Sequence, residues 1–335
     1  MNAIDHTGGD GGWNEGGRGA AKATPRPRLH RSGSDTAFYG LTALCAAGVV
    51  VLMGGIGWIL IRDAWPSIHK FGFAFLWRTI WDDPHQKYGA LTPVYGTIST
   101  TVIAVVIAVP LALAIALLLV EMVHPLVRKV VGTGIELLAA IPSIVYGMWG
   151  LFVIVPIMQN YVQPAIQHTP LGRLPLFTGP PLGLGILTAG LVLSLMILPF
   201  ITAVSRDVLT MVPQVVKEAG YGMGSTTWEV TRKVSLRYGL SGIVGAFFLG
   251  LGRAVGETMA VTFLLGGASQ FATSWFKPGQ SIASKIALNF PEAAPGVQRG
   301  ALVEIGLILF AMTIVFQLIA QTWLRRVRKR VGGRA

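Results

Sequence analysis

Charge and sulfur are what this chain has least of. Of its 335 residues only 13% are Asp, Glu, Lys or Arg, about half the share of an ordinary soluble domain. Against this, 52% are apolar and the mean hydropathy is +0.60. So few charges could not wet a globule of this size, which excludes a soluble enzyme and a disordered chain alike. Cys45 is the only cysteine, so an internal disulfide, a stapled secreted fold and a thiolate metal cluster are excluded too. Acid is scarcer than base, with 15 Asp and Glu against 27 Lys and Arg, for a net charge of +12. What remains is the composition of a polytopic membrane protein.

The excess base is concentrated at the ends. Arg18, Lys22, Arg26, Arg28 and Arg31 precede the first apolar run, and Arg325, Arg326, Arg328, Lys329, Arg330 and Arg334 follow the last. Base crowded beside membrane spans marks a cytoplasmic face, and no nucleic-acid partner is expected. Six stretches are long enough to span, at roughly 20 residues each: Phe38–Ile61, Gly96–Val120, Leu137–Ile157, Gly183–Val204, Gly239–Gly266 and Ile305–Leu324. None shows the ten-residue alternation of barrel strands. The expectation is an all-α protein with six transmembrane helices, the fifth interrupted by Arg253 and Glu257.

With both termini inside, the inner segments 1–37, 121–134, 205–238 and 325–335 hold 18 Lys and Arg, and the outer segments hold 8. This predicts cytoplasmic termini. Residues 1–37, Gly-rich over Thr7–Ala21, read as a disordered tail touching acidic membrane lipid at most, and 327–335 as a basic tail. The first apolar run exceeds a signal-peptide core, and Leu44 before Cys45 argues against lipoprotein processing. It is expected to stay as the first transmembrane helix, 38–61. Pro110, Pro142, Pro156 and Pro199 predict bent, closely packed spans.

The inner loop 205–238 reads as a helical hairpin. Pro213 can open a helix, Gly224 can stop it, and Thr226 or Thr227 can cap a second helix with Glu229 near its positive end. Val215, Tyr221 and Met223 on such a knob call for a protein partner. The order Glu218-Ala219-Gly220, then Gly224, Val234 and Leu236, resembles the EAA loop of ABC-importer permeases. That resemblance implies a coupling helix that docks on a separate ATP-hydrolysing subunit. The family prefers Ala at position 220 and Pro at position 237. Gly220 softens the helix by up to ~1 kcal/mol.

Arg253 and Glu257 are four residues apart, and on a continuous helix they share one face, with Thr258 adjacent. A lone Arg at bilayer depth costs ~2.5–3.5 kcal/mol. Attraction at ~4 Å and an effective dielectric of ~20, of order 4 kcal/mol, offsets much of that. The expectation is an ion pair in the substrate path. Arg253 would meet an oxyanion, and Glu257 would hold the guanidinium between anions or accept the proton of hydrogen phosphate, which sulfate lacks. Gly250, Gly252 and Gly256 read as close helix approach rather than a phosphate loop. The chain has no Walker A sequence.

From about Gly89 to Arg326 the chain is similar to the C-type permease subunits of bacterial phosphate-specific ABC importers. The strings that carry this are Tyr88-Gly89-Ala90-Leu91, Tyr95-Gly96-Thr97, Ala139–Phe152, Gly250–Phe263, Ser281-Ile282-Ala283 to Asn289-Phe290, and Glu304–Phe310. The resemblance implies a type I permease domain over 89–326, in a multi-pass subunit of the bacterial plasma membrane. Its partners would be an A-type permease, two ATPase subunits and a periplasmic phosphate-binding protein. It implies that Arg253, Glu257 and Thr258 serve the substrate path, and Glu218, Ala219, Gly220 and Gly224 the ATPase. ATP and Mg would be bound by the partner, with no cofactor here. Asp82-Asp83-Pro84-His85 reads as a solvated face toward the binding protein. The alternatives are a permease for sulfate, molybdate or a phosphonate, and an ATP-independent secondary transporter. Six scattered His and no clustered carboxylates offer no catalytic set.

Overall fold

Among the described residues, short 3-10 turns aside, the helices are α1 Gly33–Phe71, α2 Leu91–Leu117, α3 Pro125–Ala139, α4 Ser143–Gln167, α5 Ile186–Thr210, α6 Gln214–Gly222, α7 Thr227–Val255, α8 Met259–Leu265, α9 Ile282–Asn289 and α10 Val297–Gly332. The computed structural model describes residues 33–271 and 273–332, with side chains from Thr36 to Val327. The tail expected over 1–37 lies outside the described residues up to 32, and 33–37 are helix; residues 333–335 also lie outside. Among the described residues the only strand-like pairings are two isolated bridges, Asp82 with Lys87 and Gly266 with Gly279. α1, α2, α4, α5, α7 and α10 are each long and apolar enough to cross a membrane, as the six apolar runs predict.

The first and last helices run well past the expected 38–61 and 305–324, to Gly33–Phe71 and Val297–Gly332, and two spans are broken where continuity was expected. The third span does not begin at Leu137: α3 ends at Ala139 and α4 starts at Ser143. Pro142 has no N–H and disfavours helical geometry at the residue before it. The absence of charge after Glu136 hid that stop. The fifth span is not one helix, because α7 ends at Val255 and α8 restarts at Met259. Elsewhere the helices continue through their prolines. Pro110 and Pro199 lie inside α2 and α5, and Pro156 sits between the π-helical turns Gly150–Ile154 and Met158–Val162 of α4, where widened turns absorb the lost hydrogen bond.

The described residues divide into two units at Met53. The first contains the start of α1; the packing described here is that of the second, from Gly54 on. At its centre is α5, the most buried of the spans. α2 lays Ala104, Ala108, Ala112 and Ala116 along one face, all fully buried, since a spacing of four keeps them in line. Against the first three lie Val192, Leu193, Met196, Ile197 and Ile201 of α5. Lipid is as apolar as these side chains, so their association rests on close van der Waals contact, which small residues permit.

At the end of the bundle formed by the segments before α2 and around α9, a second cluster gathers Phe71, Phe75, Tyr88, Ile282, Leu302 and Ile305. Beside it Lys285 is 2% exposed, its Nζ 4.4 Å from the Trp81 ring centroid and donating to Ser269 Oγ at 3.3 Å. Loss of solvent pushes its ammonium down to about 8, partly opposed by the field of Asp83.

At the opposite end α2 runs into a π-helical turn, Leu118–Met122. Arg128 of α3 donates from Nε to Leu119 O at 2.8 Å and from its guanidinium to Val120 O, satisfying carbonyls that the helix end leaves free. Arg206 of α5 bonds Glu136 of α3 at 2.6 Å and Asp207 at 2.9 Å. The hairpin follows its local signals. Pro213 precedes α6, Gly224 takes φ +81°, and Thr226 and Glu229 form a reciprocal capping box at the start of α7.

Candidate functional site: the break in the fifth span

Glycines at 250, 252 and 256 each lower helix propensity by roughly 1 kcal/mol relative to alanine, and the backbone gives way at the last of them. Gly256 closes α7, its N–H still bonded to Gly252 O at 3.3 Å. Three residues later α8 begins, and the Glu257 carboxylate accepts from Ala260 N at 3.3 Å. Thr258 Oγ1 donates to Gly256 O at 3.4 Å, while Thr262 Oγ1 donates to Thr258 O at 2.6 Å. Glu257 therefore sits at the positive end of α8, and Arg253 lies in the last turn of α7, at its negative end.

The expected Arg253–Glu257 ion pair is not formed: neither residue takes part in a salt bridge among the described residues. The spacing of four aligns two side chains only on unbroken helix, and here the chain turns between them. Arg253 is exposed, its guanidinium 5.9 Å from the Phe200 ring centroid of α5. Glu257 and Thr258 are half-buried.

What fixes the half-helix α8 is the Ala139–Phe152 string. A Cβ on Gly147 would lie 2.8 Å from Ala260 Cα, and one on Gly150 would lie 3.1 Å from Leu264 Cδ2, so α4 touches α8 along its backbone. Tyr146 Oη donates to Leu138 O at 2.9 Å, tying α4 back to α3. The glycines of the fifth span divide. Gly250 packs on Ile201, with 2.6 Å available to a Cβ, whereas among the described residues nothing beyond its own helix backbone lies within 4 Å of one at Gly252. The exposed guanidinium is thus flanked by open backbone. Such a group can take an oxyanion in a planar two-point fork without first being pulled from a carboxylate.

Glu218, Ala219, Gly220 and Gly224 come together on the α6 hairpin, with Glu218, Ala219 and Gly224 exposed and Gly220 buried against Val230. They are not near the break: Thr227 to Arg253 along α7 is ~39 Å at helical rise. Val215, Met223 and Trp228 are 73%, 82% and 65% exposed, an apolar tip that the described residues leave uncovered. Phe200 beside Arg253, and a half-buried Lys217–Glu121 ion pair at 2.7 Å, escaped the sequence reading. Glu121, an acid at the end of the second apolar run, was the one available signal for the last of these.

The sequence profile of the family described as binding-protein-dependent transport system inner membrane component matches residues 108–332. The chain is 48% identical to the phosphate transport system permease protein PstC of Pasteurella multocida over 91% of its own length and 96% of that protein's. It is 46% identical to the PstC of Mesorhizobium japonicum, covering 89% and 92%. A solved bacterial ABC transporter that imports alginate superposes with TM-score 0.58 over 88% of this chain and 97% of its own, at 14% identity, a likeness of fold. The chain belongs to the binding-protein-dependent transport system inner membrane components and, among them, to the PstC permeases.

Proposed function

We propose that this chain is the membrane permease subunit of an ATP-driven importer that moves inorganic phosphate across the bacterial plasma membrane. It is itself non-catalytic, with both termini in the cytoplasm. ATP and Mg are bound by a separate ATPase dimer that docks on the hairpin around Glu218–Gly224. A PstA-like permease and a periplasmic phosphate-binding protein complete the assembly. The observation that carries this reading is Arg253, an exposed guanidinium at the break in the fifth span that makes no salt bridge among the described residues. A charge there is costly, and ionisable groups at membrane depth serve substrate paths by default.

The chemistry follows from the break. Arg253 supplies positive charge and two parallel donors for an oxyanion crossing a low-dielectric region. Glu257, held at the start of α8, is an acceptor placed for the proton of hydrogen phosphate, and it repels a fully ionised anion. Thr258 adds a hydroxyl beside it. Because Glu257 does not occupy the guanidinium, its part is selection rather than release. The uncovered Val215, Met223 and Trp228 support a protein docked on the hairpin.

Uptake of labelled phosphate into proteoliposomes with and without the ATPase tests the reading. Uptake is expected to require ATPase, to resist excess sulfate and to disappear in Arg253→Gln. Uptake without ATPase would instead indicate a secondary transporter, and competition by sulfate a permease for another oxyanion.

A further inference from the structure

Lys217 and Glu121 are 96 residues apart in sequence, yet Nζ donates to Oε1 at 2.7 Å. Their side chains are only 15% and 6% exposed. Desolvating two charges consumes most of what their attraction returns, so a buried pair is weak as a source of stability and strong as a fixer of register. The register fixed here is between two elements. Lys217 belongs to α6, immediately before Glu218, and Glu121 lies in the π-helical turn that ends α2. Among the described residues no other side chain of α6 forms a salt bridge.

Both ends of this link are built for transmission. On the α2 side, Arg128 binds the carbonyls of Leu119 and Val120, so the widened turn is stiffened where Glu121 projects from it. Beyond that turn α2 meets α5 through Ala104, Ala108, Ala112 and Ala116, and Ile103 sits over Gly190 with 2.7 Å left to a Cβ, so a displacement of α2 is passed to α5 by close contact. On the α6 side, buried Gly220 lies against Val230, with 3.1 Å to a Cβ, so α6 bears on the start of α7 as well. A displacement of α6 reaches α7 by packing and α2 by the ion pair.

We propose that the Lys217–Glu121 pair is a strut that carries movement of α6 into α2, and that it thereby sets how tightly ATP hydrolysis is coupled to transport. Both are positioning residues, acting on the path through α2. The inference rests on the ATP-driven reading given above.

The test uses the complex of this chain with its partner permease, ATPase and binding protein, reconstituted in liposomes, and reads phosphate imported per ATP hydrolysed. Lys217→Glu and Glu121→Lys are each expected to lower that ratio about fivefold or more, the lower end of measured site-to-site couplings. Combining them reverses the pair and is expected to restore the ratio. Wild-type ratios in the assembled single variants, or a double variant as impaired as the singles, overturn the strut. Should a reversed variant fail to assemble, the neutral pair Lys217→Met with Glu121→Gln is expected to assemble and still lose coupling; a normal ratio there overturns it equally. A wild-type complex that imports no phosphate overturns the functional reading and the strut together, whereas an importing wild type with unaffected variants overturns the strut alone.

Discussion

Arg253 and Glu257 lie on either side of a helix break, each at the helix end whose dipole suits its charge: Arg253 is in the last turn of α7, and the Glu257 carboxylate accepts from Ala260 N–H at 3.3 Å at the start of α8. Placed so, each is stabilised by roughly 0.3–1 kcal/mol through the adjacent backbone dipoles without neutralising the other. The break itself creates the two polar ends within the span, as in transporters whose discontinuous helices present half-helix termini to the solute.

Glu257→Gln separates charge from capping. The amide oxygen still accepts from Ala260 N, so the variant is expected to fold and assemble. Phosphate uptake should fall by of order tenfold, the worth of one charge-assisted hydrogen bond, and discrimination between hydrogen phosphate and sulfate should narrow. Unchanged uptake and preference in a competition assay would remove Glu257 from selection.

Two neighbouring glycines should respond oppositely to the same change. In Gly250→Ala the new Cβ would meet Ile201 Cγ1 and Cδ1 at 2.6 Å, overpacking that costs about 1–3 kcal/mol. In Gly252→Ala it would meet nothing within 4 Å, and helix propensity alone adds up to ~1 kcal/mol of stability. Thermal unfolding of the purified chain in detergent should rank Gly250→Ala below wild type and Gly252→Ala level with it or above. The reverse order would mean that α7 does not pack on α5 as described.

Lys285 makes stability depend on alkaline pH. Its folded value of about 8 lies below the ordinary 10.5. Between those values the unfolded chain therefore holds the extra proton, and stability rises with pH through that window. The full penalty, about 3 kcal/mol from the size of the shift, acts below pH 8 and is relieved towards 10.5. Lys285→Met removes the charge at similar length. It is expected to be more stable than wild type at pH 7, with the difference shrinking as pH rises from 8 to 10. A difference that stays constant with pH would show that Lys285 is not desolvated.

Thr226→Ala removes the cap of α7, with an expected loss of about 0.5–2 kcal/mol. Amide exchange should accelerate first over Thr227–Val230. The acceptor lost with the Thr226 hydroxyl does not titrate, and the backbone N–H that binds the Glu229 carboxylate remains in the alanine variant, so the difference in local exchange protection should persist in acid.

Elements with local causes could be read directly from residue order. A run of about 20 apolar residues spans whatever surrounds it, hence the six helices. Gly224, Thr226 and Glu229 stop and start helices through atoms within one turn of themselves, hence the hairpin. Pro142 was legible as a bend but not as a full stop, because the uncharged residues on either side of it suggested one continuous span.

Residue order alone determined the class of protein, the number of spans, the hairpin and the presence of a costly cation in the fifth span, since each depends on composition or on interactions along one stretch of chain. Tertiary structure decided that Arg253 and Glu257 are parted by a turn, that Gly250 is packed and Gly252 open, and that Lys217 meets Glu121 and Lys285 meets Trp81. Those outcomes depend on which helices lie side by side. Contact between residues far apart in the chain leaves no periodic or local trace, because it is selected by the packing of whole helix faces.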